Sequence, residues 1–140
     1  MLKKQYFNIK VPNKIQKSER DVMREIKAHL HELGFFVVRI EGAGKLTTDC
    51  YGRKQLICSA SSGLPDYLVL GYNTVFAIEV KSPARNAKLS YKQAKMLSEF
   101  ISRNLHAAIV FSTEGVDHFL THTLPDYVIV FDDIEIPVYF

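Results

Sequence analysis

One stretch near the middle of the chain constrains its fold more than any other. Residues 66–70 and 75–80 are short runs of strand-forming residues, and residues 71–74 read Gly-Tyr-Asn-Thr, a turn sequence. This pattern predicts a β-hairpin with a two-residue loop. Apart from Asp66 and Glu79, both runs are apolar on both faces, so we expect the hairpin to be central and buried in a sheet.

The register of this hairpin follows from its loop and places Asp66 directly opposite Glu79. Opposed antiparallel residues have Cβ atoms about 4.5–5.5 Å apart, and Lys81 shares the face of Glu79 because strand side chains alternate. Two buried carboxylates repel each other unless a cation or a proton lies between them. The three side chains predict a metal site, and the alternative is an internal salt bridge through Lys81.

The residues around this hairpin resemble the PD-(D/E)xK nuclease superfamily, and more closely its virus-type replication-repair nuclease (VRR-NUC) branch. That branch reads Gly-x-Pro-Asp, then Glu-x-Lys, then a Gln that opens the next helix. Here residues 63–66 read Gly-Leu-Pro-Asp, residues 79–81 read Glu-Val-Lys, and Gln93 follows. The resemblance covers roughly residues 18–121, which is most of the chain.

The resemblance implies an α/β fold with a restriction-endonuclease-like core. In that core, a helix, three strands, a second helix and a fourth strand form a mixed sheet flanked by helices, and the periodicity of this chain predicts the same order. With 140 residues and a hydrophobic content of 47%, one domain is expected. We place it at residues 18–140, with a basic arm at residues 1–17 and an acidic extension at its end.

The resemblance also implies an activity: Mg²⁺-dependent hydrolysis of DNA phosphodiesters, with Mn²⁺ as a substitute. The expected substrates are branched replication and recombination intermediates, because stand-alone members resemble Holliday-junction resolvases, which act as homodimers. Three alternatives remain open. The same site could serve flap cleavage, nicking, restriction or exonuclease trimming; the chain could be a non-catalytic nucleic-acid-binding module; or it could be a partner-binding α/β protein whose acids form salt bridges.

The expected roles of the motif residues follow from the resemblance. Asp66 and Glu79 would be direct metal ligands, with the Val80 carbonyl beside them. Lys81 would orient the attacking water and offset charge on the phosphate. Gln93 would position water or phosphate, although the capping sequence Ser-x-x-Gln at residues 90–93 also gives it a structural role.

Residues 19–33 have the periodicity of an amphipathic helix, with Ser18 as its N-cap and Gly34 as its end. The apolar stripe comprises Val22, Met23, Ile26, Leu30 and Leu33. Glu19 belongs to this stripe by spacing. It is either a first-turn acid that favours the helix dipole or, as the resemblance implies, a further acid of the metal site. Glu25 is the fallback for that role.

A second helix is predicted from the Ser90 cap to about residue 103. Lys88, Lys92 and Lys95 are spaced by four and then three residues, which predicts a phosphate-facing stripe on that helix. The candidate nucleic-acid contacts are Lys88, Lys92, Lys95, Arg85, Arg39 and Lys45. Plain solvated charge is the alternative for each of them.

The charge distribution favours a polyanion partner. All 18 Lys and Arg lie in residues 1–103 with 9 acids, whereas residues 104–140 hold 6 acids and no Lys or Arg. No apolar run approaches the ~20 residues of a membrane span, and the N-terminus has no apolar signal core. Cys50 and Cys58 fit neither a zinc spacing nor a disulfide framework. These features predict a cytoplasmic protein of a bacterial or virus-infected cell with reduced thiols.

The remaining periodic segments predict strands at residues 35–40, 53–60 and 107–111, and a short helix from Ser112 or Thr113 to about residue 121. The basic arm has two open interpretations, a strand or a flexible tail. Residues 124–130 nearly repeat residues 64–70, including Leu-Pro-Asp, but no Lys follows them. We therefore expect a turn and an edge strand there instead of a second metal site.

Overall fold

A computed structural model describes residues 6–40, 45–48, 51–52, 54–57 and 63–140. These residues form strands and helices in an α/β arrangement. The strands are β1 (Tyr6–Ile9), β2 (Phe36–Arg39), β3 (Lys45–Thr48), β4 (Lys54–Ile57), β5 (Tyr67–Gly71), β6 (Thr74–Val80), β7 (Ala87–Ser90), β8 (His106–Val110), β9 (Tyr127–Phe131) and β10 (Ile134–Tyr139). The helices are α1 (Glu19–Glu32), α2 (Tyr91–Ser102) and α3 (Thr113–Leu120).

The main sheet has six strands in the order β2-β5-β6-β8-β10-β9. The pairs β6–β8 and β8–β10 are parallel, and the other pairs are antiparallel. Helices α1 and α3 pack on one face of this sheet, and α2 packs on the other. The predicted mixed sheet flanked by helices is confirmed. The elements α1, β2, β5, β6, α2 and β8 occur in the predicted order, with β3 and β4 after β2 and the unpredicted β7 before α2.

The central hairpin has the predicted register. In β5 and β6, Tyr67 pairs with Ile78 and Gly71 pairs with Thr74, so the loop has two residues and Asn73 takes a positive φ of 63°. Neither strand lies at an edge of the six-stranded sheet. Asp66 immediately precedes β5, and Glu79 is the next residue of β6 beyond the paired ladder.

The two main helices begin and end close to their predicted residues. Ser18 caps α1 by accepting a hydrogen bond from Asp21 N at 3.1 Å, and the apolar stripe is buried as far as Leu30. Leu33 is the exception, since it is the C-cap of α1 and 49% exposed. The assignment of Lys88 to the second helix is wrong. Lys88 lies in strand β7, before the Ser90 cap of α2.

The basic N-terminal segment enters the fold as a strand. β1 pairs antiparallel with β7, from Tyr6 opposite Ser90 to Ile9 opposite Ala87. Ile9 is fully buried and Val11 nearly so, both in the cluster beneath α2. The described part of this segment is therefore held by the core and by backbone pairing.

The acidic end of the chain also forms strands. The predicted edge strand is β9, at the end of the six-stranded sheet. The sequence did not reveal β10, which inserts between β8 and β9 and buries Ile136 and Val138 completely. Asp132 and Asp133 turn the chain between β9 and β10 with positive φ values of 47° and 63°.

Strands β3 and β4 pair antiparallel and form a separate two-stranded sheet. Strand β4 falls within the extra strand predicted at residues 53–60. Cys50 and Cys58 lie outside the described residues. Among the helices described, none has the length and apolar character needed to cross a bilayer.

Replacing Ile9 by Ala is expected to destabilise the protein by about 2–5 kcal/mol, because the side chain is fully buried in the core. Chemical denaturation followed by circular dichroism would measure the change. The neighbouring exposed substitution Lys10→Ala is the control and should change stability by less than about 0.5 kcal/mol. Equal stability of the two variants would contradict the packing of β1 on the core.

Candidate functional site

Asp66 is held at the base of the central hairpin by backbone contacts. Its Oδ2 accepts a hydrogen bond from Val80 N at 2.8 Å, and its carbonyl accepts one from Ile40 N at 2.9 Å. The first contact ties the carboxylate to β6, and the second ties the main chain to the end of β2. The Asp66 carboxylate is therefore fixed beside the position of Glu79.

Among the described residues, Glu79 is the one charged residue that is buried, with 3% of its surface exposed. Its Oε1 accepts a hydrogen bond from Gln93 Nε2 at 3.3 Å and lies 3.9 Å from Lys81 Nζ. Its Oε2 is buried and has no hydrogen-bond partner among the described residues. Burial, the Asp66 charge and a side-chain hydrogen bond with Asp66 raise the pKa of Glu79 to about 9, although Lys81 opposes this shift. A proton shared with Asp66 is therefore one way to satisfy the second Glu79 oxygen.

Gln93 links the site to the first turn of α2. Its Oε1 accepts hydrogen bonds from Lys81 Nζ at 3.3 Å and from Ser90 N at 3.0 Å. Ser90 Oγ accepts from Gln93 N at 3.1 Å, which completes the predicted capping box. One side chain thus caps the helix and orients both Glu79 and Lys81.

The glycine of the Gly-Leu-Pro-Asp segment allows this segment to pass against α2. Gly63 has a positive φ of 96°, and a Cβ atom there would lie 2.6 Å from the Lys92 carbonyl carbon. Glycine is therefore required both by backbone conformation and by space. This close approach explains why the segment carrying Asp66 and the turn carrying Gln93 belong to one site.

Glu19 stands at the start of α1, next to the site. Glu19 is an exposed residue overall, but its carboxyl group is partly buried. This burial and the nearby Asp66 charge raise the pKa of Glu19, while Lys81 and Arg85 lower it. Glu25, the fallback, forms an ion pair with Lys17 at 2.8 Å on another side of α1. Of the two acids, Glu19 is the one within electrostatic reach of Asp66.

The donor set at the hairpin base fits a hard divalent cation. Within the described ranges, no group of three or more His, Cys, Asp and Glu side chains is spaced to hold a metal ion. Mg²⁺, however, is commonly bound through one or two carboxylates with water completing its shell. The buried Oε2 of Glu79 and the nearby Asp66 carboxylate are oxygens that such a cation would satisfy in place of the proton.

The predicted nucleic-acid contacts do not form one helical stripe. Arg85 and Lys88 line a cavity of about 510 Å³ together with Glu19 and Lys81. Lys92 and Lys95 are exposed on α2, and Lys88 Nζ lies 5.8 Å from the centre of the Tyr6 ring. Arg39 is exposed at the end of β2. Lys45 opens β3, and its side chain lies outside the described part of the structure.

Three further cations near the site were missed. Arg20, Arg24 and Lys27 line a cleft of about 590 Å³ together with Glu19 and Arg39. They are spaced by four and then three residues on α1, as Lys88, Lys92 and Lys95 are in the sequence around α2. This spacing would have identified a basic flank of α1.

The second Leu-Pro-Asp segment reproduces part of the site geometry. Asp126 Oδ2 accepts a hydrogen bond from Phe140 N at 2.9 Å, just as Asp66 accepts from Val80 N. Tyr139 precedes Phe140, where the first copy has Glu79 before Val80. The carboxylate-to-backbone contact is therefore a feature of both hairpins, whereas the second acid, the amine and the amide occur only in the first.

No family model, curated protein or solved structure matches this chain. The resemblance to the VRR-NUC branch consequently remains a prediction from the motif residues and their order. What the structure adds is the geometry of those residues. Asp66, Glu79, Lys81 and Gln93 converge at one end of the central hairpin, and Glu19 lies at its border.

The raised pKa of Glu79 predicts that stability depends on pH when no divalent cation is present. Between about pH 4.5 and about 9, the folded protein keeps a proton on Glu79 that the unfolded chain has lost. Unfolding then releases a proton, so the free energy of unfolding should fall as pH rises through this window. Urea denaturation in EDTA at several pH values would measure the slope.

Glu79→Gln is the matched variant for this measurement, because it keeps the shape and cannot ionise. The free energy of unfolding of this variant should depend less on pH in this window, because the Glu79 proton is absent. Added Mg²⁺ should stabilise the wild-type protein at the alkaline end of the window and have little effect on Glu79→Gln. A wild-type slope identical to that of the variant would contradict the proton on Glu79.

Gly63→Ala is expected to destabilise the protein more than Gly34→Ala. Both glycines have positive φ, 96° and 90°, but a Cβ at Gly34 would meet nothing within 4 Å. The Gly34 substitution should therefore cost about 1–2 kcal/mol from backbone strain alone. Overlap with the Lys92 backbone should add at least about 1 kcal/mol for Gly63→Ala. Equal losses in thermal or urea denaturation would disprove the close approach.

Proposed function

We propose that this protein is a Mg²⁺-dependent DNA endonuclease of the PD-(D/E)xK type, with Mn²⁺ as a substitute cation. The observation that carries the proposal is the pair of carboxylates at the hairpin base. Asp66 is fixed by the Val80 amide, and Glu79 presents a buried oxygen without a partner. An amine and an amide adjoin this pair, and together these are the groups of the motif that the chain resembles.

The two acids and the Val80 carbonyl would hold the cation, and Glu19 would complete the site from the start of α1. When bound, Mg²⁺ supplies electrostatic stabilisation of the phosphate and increases the acidity of a coordinated water. The chain itself supplies the alignment of the oxygens. Loss of the Glu79 proton is required for this role, and the neighbouring positive charge of Lys81 favours that loss.

Lys81 would act on the phosphate and on the attacking water. Its side chain is 12% exposed, and its ammonium group lies 3.9 Å from Glu79 Oε1 and donates to Gln93 Oε1. It therefore has a fixed position but retains access to the neighbouring cavity. As water attacks phosphorus and the sugar oxygen leaves, a fixed positive charge offsets the charge that develops on the phosphate oxygens.

Gln93 is a positioning residue in this proposal. Its Nε2 donates to Glu79 and its Oε1 accepts from Lys81, so one planar amide sets the distance between acid and amine. The capping box fixes this amide on α2. The roles of cap and positioning residue are therefore compatible.

The element order supports the assignment to a restriction-endonuclease-like core. Within the six-stranded sheet, β2, β5 and β6 are antiparallel neighbours, and β8 joins β6 in parallel after the helix α2. Helix α1 precedes them and delivers Glu19 to the hairpin base. These elements are the helix, three strands, helix and strand that the proposed family requires.

Branched DNA and a homodimer are the finer parts of the proposal. The excess of Lys and Arg in residues 1–103 suits DNA. Phe36 and Val38 of the edge strand β2 are 63% and 36% exposed, which offers an apolar surface to a second copy of the chain. A Holliday-junction-resolvase-like activity in the cytoplasm would use two such sites in one dimer.

A non-catalytic nucleic-acid-binding module is the second candidate, and Asp126 is the observation that favours a non-catalytic interpretation of Asp66. Its carboxylate makes the same backbone contact as Asp66, but the residue opposite it in the hairpin is Tyr139 instead of an acid. The contact of Asp66 is therefore accounted for by architecture alone. A protonated Glu79 hydrogen-bonded to Gln93 would likewise be a stable structural group.

Cleavage assays on labelled four-way junction, flap, duplex and single-stranded DNA with Mg²⁺ or Mn²⁺ would test the proposal. Asp66→Asn and Lys81→Ala should each lower cleavage by more than about 100-fold, since even outer-shell partners of metal sites contribute 10–100-fold. Asp126→Asn is the matched control, because Asp126 makes the same backbone contact away from the site. It should cut like the wild type.

The cleavage pattern separates the candidate functions. Symmetrical cuts in the junction, lost in Asp66→Asn and Lys81→Ala, would support a dimeric resolvase. Metal-dependent cutting of another DNA form would retain the site and change the substrate. Tight DNA binding without cleavage of any form would refute the endonuclease in favour of the binding module.

A further inference from the structure

The charges of α1 are divided between two flanks of the helix. Arg20, Arg24 and Lys27 are spaced by four and three residues and share one flank. Asp21, Glu25 and Glu32 share the opposite flank, and the buried stripe that ends at Leu30 runs between the two. A helix that only needed solubility would not require this separation of charge by flank.

One acid of the acidic flank is tied to another part of the fold, whereas no cation of the basic flank is tied in this way among the described residues. Glu25 pairs with Lys17 at 2.8 Å, and His29 on the same side contacts Asp117 of α3 at 2.6 Å. On the basic flank, Arg24 lies 4.0 Å from Asp21 at the limit of an ion pair. Across the described ranges, neither Arg20 nor Lys27 has an acidic partner within that limit.

Arg39 joins the basic flank from the neighbouring strand. It pairs with Tyr67 in the β2–β5 register, and the Tyr67 hydroxyl donates to Met23 O of α1 at 3.1 Å. This contact holds the start of β5 against the helix, and the pairing with β5 places Arg39 beside it. The four cations Arg20, Arg24, Lys27 and Arg39 consequently line one cleft of about 590 Å³.

The cleft leads directly to the proposed catalytic site. Glu19 lines both this cleft and the cavity of about 510 Å³ that contains Lys81 and Arg85. Asp66 is the residue next to Tyr67, which forms part of the wall of the cleft. A chain molecule lying in the cleft would therefore pass the two carboxylates at its end.

We propose that the phosphodiester backbone of DNA lies along the basic flank of α1, with Arg20, Arg24, Lys27 and Arg39 binding its phosphates. This inference rests on the DNA partner of the proposed function and identifies the surface that holds it. Residues 20 and 27 are about 10 Å apart along the helix axis, enough for two or more consecutive phosphates. Guanidinium groups bind phosphate oxygens in pairs, which suits three arginines in one cleft.

The composition of the cleft favours a phosphate backbone over an acidic peptide or a lipid surface. A membrane would need exposed apolar side chains beside the cations, whereas the apolar residues of the cleft, Met23 and Tyr67, are buried. An acidic peptide contains no phosphodiester on which the two carboxylates at the end of the cleft could act. A phosphodiester chain is the one of these three that the adjoining site could hydrolyse.

Equilibrium binding in EDTA, where metal-dependent cutting cannot occur, would test this surface by fluorescence anisotropy of labelled duplex and four-way-junction DNA. The variant Arg20→Gln/Arg24→Gln/Lys27→Gln should bind at least about tenfold more weakly. The slope of log K against log salt should become shallower by about 2–3, since each phosphate contact contributes about 0.9. Arg39→Gln, on a separate element, should reduce the slope by about 0.9.

Lys88→Gln/Lys92→Gln/Lys95→Gln is the matched variant, because it removes the same charge from the α2 side. It should weaken binding less than the α1 variant and change the salt slope less. Thermal denaturation would show that each variant is folded. A loss in the α2-side variant equal to or larger than that in the α1 variant would overturn the proposal, as would equal competition by polyglutamate.

Failure of this inference and failure of the proposed function give different results. If the wild type cuts DNA and the α1 and Arg39 variants bind like the wild type, the surface is refuted and the nuclease is retained. If no DNA is cut but the α1 and Arg39 variants lose binding and salt dependence as described, the surface is supported and the endonuclease is refuted.

Discussion

The burial of Glu79 beside Asp66 is the constraint on which the rest of the site depends. A buried carboxylate next to a second acid is tolerated only with a proton or a cation, and its neighbours must be fixed to keep either in place. Val80 N holds Asp66, Gln93 holds Glu79, and Lys81 N donates to Val110 O of β8. Strands β6 and β8 and helix α2 thus meet where the charge is concentrated.

The parts of the fold that follow from short-range chemistry were predictable. A two-residue loop leaves one register for the central hairpin, so the sequence determined that Glu79 would face Asp66. Ser18 and Ser90 are side-chain caps whose partners lie three residues away, and both helices begin where predicted. In each case the interacting residues are close in sequence, and the geometry has few alternatives.

The parts that depend on distant pairing were not predictable. Strand β10 contains Pro137 and Glu135 and follows two aspartates, features that suggest an edge or a tail, yet it lies between β8 and β9. Its pairing with β8 begins only at Val138, after the proline. The pairing of β7 with β1 joins residues about 80 positions apart, and no local pattern specifies such a partner. The placement of Lys88 on α2 is a different error, because the Ser90 cap, a local signal, already puts residue 88 before the helix.

The two Leu-Pro-Asp hairpins separate architecture from chemistry within one chain. Both clamp an opposing backbone amide with an aspartate, so this contact closes the base of a hairpin irrespective of function. In the second hairpin, Tyr139 precedes the clamped residue and donates to Thr123 O. In the first, Glu79 stands there with a buried oxygen left unpaired. The tyrosine needs no counter-charge, whereas the buried Glu79 needs a proton or a cation beside Asp66, and this difference in chemistry is what separates the two hairpins.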